Sequence, residues 1–181
     1  PCESGRDTSP DFNFCQPFNP LKFAFNIWKM EWQYKKLDWD IDKMWQKNLF
    51  NVEDVMFNCI WIEGLRIIGQ YNLADKAEKA IYELCWDEKD KIFYNLDYRN
   101  EKIKRLGVSG LFPLILDNIP REMHQDLVER HLTNPEEFWL PYPIPSIAKS
   151  APAFNPDSGY YCNWQGPTWI NINWFIIRGL M

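Results

Sequence analysis

Two stretches of the chain combine residue types that can do chemistry. The first is Glu3-Ser4-Gly5-Arg6-Asp7-Thr8-Ser9-Pro10, which gathers Glu, Arg and Asp around one glycine within five residues. Carboxyl groups so placed suit general acid catalysis, in which a protonated side chain hands its proton to a leaving oxygen. The same residues also describe a turn, with Asp7 accepting from nearby backbone amides and Arg6 paired to Glu3. On residue types alone the turn is the simpler account. The second stretch is Asn163-Trp164-Gln165-Gly166-Pro167-Thr168-Trp169-Ile170-Asn171-Ile172-Asn173-Trp174. Its first two indoles, five residues apart, flank a Gly-Pro at a helix start, while Gln165, Asn171 and Asn173 add neutral donors and acceptors. A sugar site needs this mixture: flat apolar rings for C–H faces and amides for hydroxyls. The alternative is aromatic packing on a buried helix. Two amides amid Ile170, Ile172, Trp174 and Phe175 would then need buried partners. At i, i+2 they cannot share a helix face, so one is expected in a cleft and the other in an interhelical contact.

Helices must position these stretches. Residues 1–20 read as loop, and 21–49, dense in Trp and Lys, hold at least one helix. Asn51-Val52-Glu53-Asp54 opens a helix whose Val55, Cys59, Ile60, Ile62, Leu65, Ile67 and Ile68 make it apolar on most faces and buried. Tyr71-Asn72 is expected to break it. A second helix over 73–86 is amphipathic, with Asp75, Lys76, Glu78, Lys79 and Glu83 on a solvated face. The pair forms a hairpin with an inner and an outer member. Ile92–Asp97 reads as a short edge strand. Residues 109–117 and 120–132 repeat the inner–outer pattern, residues 140–160 form a long Pro-rich loop, and a last helix runs from 167 through 179. Alternating inner and outer helices, with long loops at one end, predict an all-α fold, an α/α barrel. His124 and His131 fall on an outer helix and are expected to be solvated.

Composition narrows the function. The 181 residues include 20 Lys+Arg and 25 Asp+Glu, a formal charge of −5. Nothing there offers the basic face that nucleic acid requires. No apolar run is long enough to span a membrane. Hydrophobic residues are 46%, a globular composition. With Trp 10, Tyr 8 and Phe 12, aromatics reach 17%, which points to a thick aromatic core, a sugar-stacking cleft, or both. The five cysteines (Cys2, Cys15, Cys59, Cys85 and Cys162) are widely spaced and read as mostly buried free thiols in a reducing compartment. Asp38, Asp40 and Asp42 lack the Gly and terminal Glu of a calcium loop, so neither metal nor cofactor is expected. The chain opens on a polar motif without Met and stops in an apolar helical run. A single domain over 1–181, truncated at both ends, is the expectation.

The segments ESGRDTSP at 3–10 and NWQGPTWININWFIIRGL at 163–180 resemble the catalytic domain of glycoside hydrolase family 63, above all its bacterial mannosylglycerate-hydrolase-like and α-glucosidase-like branch. Phe50-Asn51-Val52-Glu53-Asp54 with Asn58, and Phe138 through Ile144-Pro145-Ser146-Ile147, look like the same family, so the resemblance covers essentially the whole chain. Trehalases carry a segment related to the first motif. The resemblance implies a six-hairpin α/α barrel and hydrolysis with inversion. It implies Asp7 as general acid, Gly5 and Arg6 as neighbours shaping the acid's pocket, and Trp164, Gln165, Gly166 and Trp169 as the sugar-binding wall. Inversion needs a second carboxylate about 6.5–9.5 Å from the first to activate water. In the family that base is a Glu some tens of residues after the GPxW helix, hence past Met181.

The expected substrates are α-linked glucosides, mannosides or glycosyl-glycerates, bound as a small oligosaccharide or glycoside in the cytoplasm, with oligomeric state open. Asp7 must hold its proton, so its pKa is expected above the ordinary value of about 3.9. Desolvation by Trp164 and Trp169 and repulsion from Glu3 would raise it. Arg6 is then expected to point at Glu3 or a loop carbonyl. The 181 residues alone are expected to be inactive and poorly soluble, with inner helices such as 55–70 and 167–181 uncovered. The rivals are a non-catalytic carbohydrate-binding α/α-barrel protein, a trehalase-like hydrolase and a helical-repeat interaction domain. No repeat of suitable period supports the last.

Overall fold

The computed structural model describes residues 9–11, 20–49, 51–157 and 164–181. In chain order its elements are α1 (Pro20–Lys36), α2 (Ile41–Lys47), β1 (Val52–Glu53), α3 (Val55–Ile67), α4 (Tyr71–Ala80), β2 (Trp86–Asp87), β3 (Ile92–Phe93), β4 (Leu96–Asp97), α5 (Arg121–Asp126) and α6 (Ile170–Gly179). The α4 helix runs on through a π-turn at Ile81–Cys85, and α5 through another at Leu127–Leu132. A 3-10 helix occupies Val108–Ile115. Helix dominates, as expected. Among the described residues the strands form two antiparallel two-residue ladders, one pairing Val52 with Asp97 and the other Trp86 with Phe93, with isolated bridges besides.

The α3 helix starts where two donors are capped. Asp54 accepts the Phe57 amide at 3.1 Å and Asn95 Oδ1 accepts the Val55 amide at 2.8 Å. It ends in a Schellman turn, with Gly69 at φ 79° and the Gln70 amide reaching back to the Leu65 carbonyl. That glycine, not Tyr71-Asn72, makes the break. Tyr71 and Asn72 instead open α4, whose short connection to α3 closes the expected hairpin.

The core joins Val55, Met56, Cys59, Ile62 and Leu65 of α3 to Leu111, Phe112 and Leu114 of the 3-10 helix, and these to Ile172 and Ile176 of α6. The 3-10 helix lies between α3 and α6 and is buried through Leu114. Helix α3 is not buried on most faces. Phe57, Ile60 and Trp61 are exposed, as are Ile170, Trp174 and Ile177 of α6. Both helices therefore carry exposed apolar surface.

Two polar residues were misplaced by the sequence reading. Glu78 belongs to the supposedly solvated face of α4, yet it is only 3% exposed. It pairs with Arg66, accepts the Tyr82 hydroxyl at 2.6 Å and accepts Asn118 Nδ2 at 3.2 Å. His131 is only 6% exposed, with Nδ1 2.7 Å from Glu137 Oε2 and Nε2 3.0 Å from the Asp90 carbonyl. His124 is half-buried. Helical periodicity reports which face a residue occupies, but not whether a partner from a distant segment covers that face.

Cys59 and Cys85 are free and buried, as expected; Cys2, Cys15 and Cys162 lie outside the described residues. Burial pushes the Cys85 thiol up to about 12 and the Cys59 thiol well above its usual value. Burial likewise raises Tyr82, with Glu78 adding to it, and Tyr94, with Asp90 adding to it. The native state keeps these protons at a pH where the unfolded chain releases its own. Stability is therefore expected to fall as pH rises beyond about 9. Urea midpoints at pH 8 and pH 10 measure it, and an unchanged midpoint would refute the expectation. Among the described residues no group of three or more His, Cys, Asp or Glu is arranged to hold a metal, and Asp40 instead caps α2 through the Lys43 amide at 3.0 Å. No described helix is long and apolar enough to cross a membrane.

Candidate active site

Three segments that are distant in sequence meet beside the N-terminal ends of the 3-10 helix and α6. Gly107 bridges Ile147 in antiparallel fashion, and Pro145 bridges Thr168. The Val108 amide donates to the Ser146 carbonyl at 3.0 Å, Ala148 N to the Leu106 carbonyl at 2.7 Å, and Ser146 N to the Pro167 carbonyl at 3.1 Å. The result is a ladder of 106–108, 145–148 and 166–168. Thr168 Oγ1 extends it by donating to the Tyr142 carbonyl at 2.8 Å.

The ladder carries the tryptophan motif. Trp164 and Trp169 stack on one another, with ring centroids 5.4 Å apart and planes at 17°. That spacing is direct ring contact. A pyranose therefore cannot enter between the two indoles and could meet only an outer face or an edge of the plate. Trp164, Gln165 and Gly166 are buried, and Trp169 is half-buried. Gly166 sits at φ 149°, and a Cβ there would lie 2.7 Å from the Asn155 carbonyl oxygen. Glycine is required both for the backbone conformation and for this close approach of the 151–157 loop. The loop is tied back by the Asn155 amide donating to the Gln165 carbonyl.

Asn171 and Asn173 do part company, but not into a cleft and an interhelical contact. Asn171 is exposed. Asn173 accepts the Ile144 amide at 2.9 Å and donates to the Ile144 carbonyl at 3.3 Å, clamping α6 to the 140s loop. Two site-supporting residues went unnoticed in the sequence. One is Ser146, a buried side chain whose hydroxyl accepts the Gly166 amide at 2.9 Å. The other is Asn95, described with Asp11 below. Neither has a local signal, because each partner lies far along the chain. Ser146→Ala leaves the Gly166 N–H buried without its acceptor. It is expected to lower unfolding free energy by about 1–3 kcal/mol, read as a lower denaturant midpoint at unchanged slope.

Gly5, Arg6 and Asp7 lie outside the described residues, as does Glu3, so the expected Arg6 contact falls there too. The chain just after them is described. Ser9 and Asp11 are buried, Asp11 N donates to Ser9 Oγ at 3.3 Å, and Asp11 Oδ2 accepts Asn95 Nδ2 at 3.2 Å. A Cβ on Gly107 would lie 3.3 Å from Asp11 Oδ2. Asp11 therefore rests on the same ladder that carries the tryptophan plate.

The model of the mannosylglycerate hydrolase MGH1-like glycoside hydrolase domain matches residues 1–181, and the chain belongs to that family. A mannosylglycerate hydrolase of Thermus thermophilus is 28% identical over 163 residues, covering 81% of this chain and 37% of the relative. An uncharacterized protein of Borreliella burgdorferi is 29% identical over 162 residues, covering 78% of this chain and 32% of the relative. The crystal structure of the GH63 mannosylglycerate hydrolase from Thermus thermophilus in complex with glucose superposes with a TM-score of 0.82 at 25% identity, covering 99% of this chain and 47% of that one. The same enzyme in complex with Tris and D-glycerate gives 0.79 at 24% identity. The chain thus spans about a third of the curated relatives and about half of the solved chains.

Proposed function

We propose that this chain forms part of an inverting glycoside hydrolase with an α/α-barrel fold, acting on a small α-linked glucoside, mannoside or glycosyl-glycerate. Asp7 serves as general acid. Gly5 and Arg6 shape its pocket, and Trp164, Gln165, Gly166 and Trp169 form the wall against which the sugar ring rests. The observation that carries the reading is that Asp11, just after the first motif, packs on Gly107, and the ladder runs from Gly107 through Ser146 to Gly166 of the second. Residues more than 150 positions apart are thereby held at one end of the helices. The relatives' glucose and D-glycerate complexes support a small sugar or sugar acid as ligand. The general base is a carboxylate that this reading places outside these residues.

In the proposed reaction the acid protonates the glycosidic oxygen as the C–O bond breaks, while water enters from the opposite face. The aromatic plate covers one apolar sugar face and excludes water there. Gln165 offers an amide for hydroxyls. The test is a panel of α-linked disaccharides and glycosyl-glycerates on the full-length protein, with product anomers followed by NMR. Inverted product from one of these supports the reading. Sugar binding without turnover favours the non-catalytic alternative, and no binding by any of them rejects both.

A further inference from the structure

We propose that Asn95 and Asp11 form a positioning pair that anchors the chain just after Asp7 to the helical core; this rests on the reading of Asp7 as general acid. Asn95 follows β3 in the turn to β4 and is only 2% exposed. Its backbone is fixed by the Ile103 amide, which donates to the Asn95 carbonyl at 2.8 Å. Its side chain is used at both ends. Oδ1 accepts the first amide of α3, from Val55, at 2.8 Å, and Nδ2 donates to Asp11 Oδ2 at 3.2 Å. The orientation is forced. A flipped amide would set NH2 against N–H and oxygen against carboxylate.

Asp11 is 3% exposed and lies over Gly107, so its carboxylate is locked between the head of α3 and the ladder. Ser9 Oγ holds the Asp11 amide and folds the segment back on itself. Asp7 is four residues upstream, a reach of at most about 14 Å, so where Asp11 is anchored limits where the acid can sit. Misplacement of a catalytic group by about 1 Å can cost on the order of 100-fold in rate. The pair is polar and buried, and it fixes residues 9–11 to a helix head. The other charged groups on these elements are Glu53 and Asp54 at the head of α3, Glu63 and Arg66 further along it, Asp97, Arg99, Glu101 and Lys102 in and after β4, and Lys104 and Arg105 before Gly107.

The experiment uses the full-length protein and two variants. Asn95→Asp keeps the acceptor for the Val55 amide but opposes a second carboxylate to Asp11. Two buried carboxylates this close cannot both ionise. The expected result is a kcat about 10–100-fold lower at neutral pH, with KM within about threefold and partial recovery as pH falls and one proton bridges the pair. The exchange Asn95→Asp with Asp11→Asn restores one donor and one charge, and is expected to return kcat to within about fivefold of wild type. Amide hydrogen exchange over residues 3–11 should rise in the single variant and return to normal in the double. Unchanged exchange with unchanged kcat overturns the proposal. So does a kcat loss that the double variant fails to repair while its exchange is normal. If the unaltered protein hydrolyses no glycoside yet exchange responds as described, the seat stands and the hydrolase reading falls.

Discussion

Asp7→Asn in the full-length protein is expected to lower kcat by roughly 10²–10⁴-fold with little change in KM. The amide has the carboxyl's shape but no proton to give, so substrate still binds and the leaving oxygen departs unprotonated. The loss should depend on the leaving group. A glycosyl fluoride, or an aryl glycoside whose phenol leaves readily as an anion, needs little protonic help and should lose far less than a natural substrate. The pH dependence follows with its sign. A general acid works only while protonated, so the wild-type rate falls as pH rises through its pKa, and the variant lacks that limb. Near-full activity of Asp7→Asn on an unactivated substrate would end the assignment.

Glu78→Ala is expected to cost about 3–5 kcal/mol of stability, because it strands the guanidinium of Arg66 in a largely buried site. Glu78 serves α3 through Arg66, the π-turn after α4 through Tyr82 and the turn before α5 through Asn118, whose backbone amide it also accepts at 3.3 Å. Asp75 Oδ1 lies 3.1 Å from Arg66 Nη1 but is mostly exposed, and it can offset only part of the loss. Denaturant titration measures the change. Replacing both partners, Glu78→Leu with Arg66→Met, should recover most of it, since removal of the whole pair leaves no uncompensated charge. A double variant as unstable as the single would show that the hydrogen bonds to Tyr82 and Asn118, and not the ion pair, dominate.

The helices were legible because Val55, Cys59, Ile62 and Leu65 repeat at helical spacing, and Gly166-Pro167 announced the entry to α6. The tryptophan motif could be read because its members are near neighbours in sequence. What escaped was held by long-range polar contacts. Glu78 looked solvated because its partners Arg66 and Asn118 lie on other elements. His131 looked solvated because Glu137 and the Asp90 turn fold over it. Asn95 sits in an apolar stretch without a motif, and its meaning lies in Val55 and Asp11, 40 and 84 residues away. The mutual stacking of Trp164 and Trp169 was likewise invisible, because spacing alone left room for two separate walls.

The ladder of 106–108, 145–148 and 166–168 bears on how the chain reaches this state. Its rungs close loops of tens of residues, and such contacts return nothing until the chain between them has surrendered its freedom. The α3–α4 hairpin, closed by three residues at Gly69, has no such delay. Secondary structure is therefore expected early and the ladder with its tryptophan plate among the last parts to mature, so species trapped in refolding should be helical before that plate has formed.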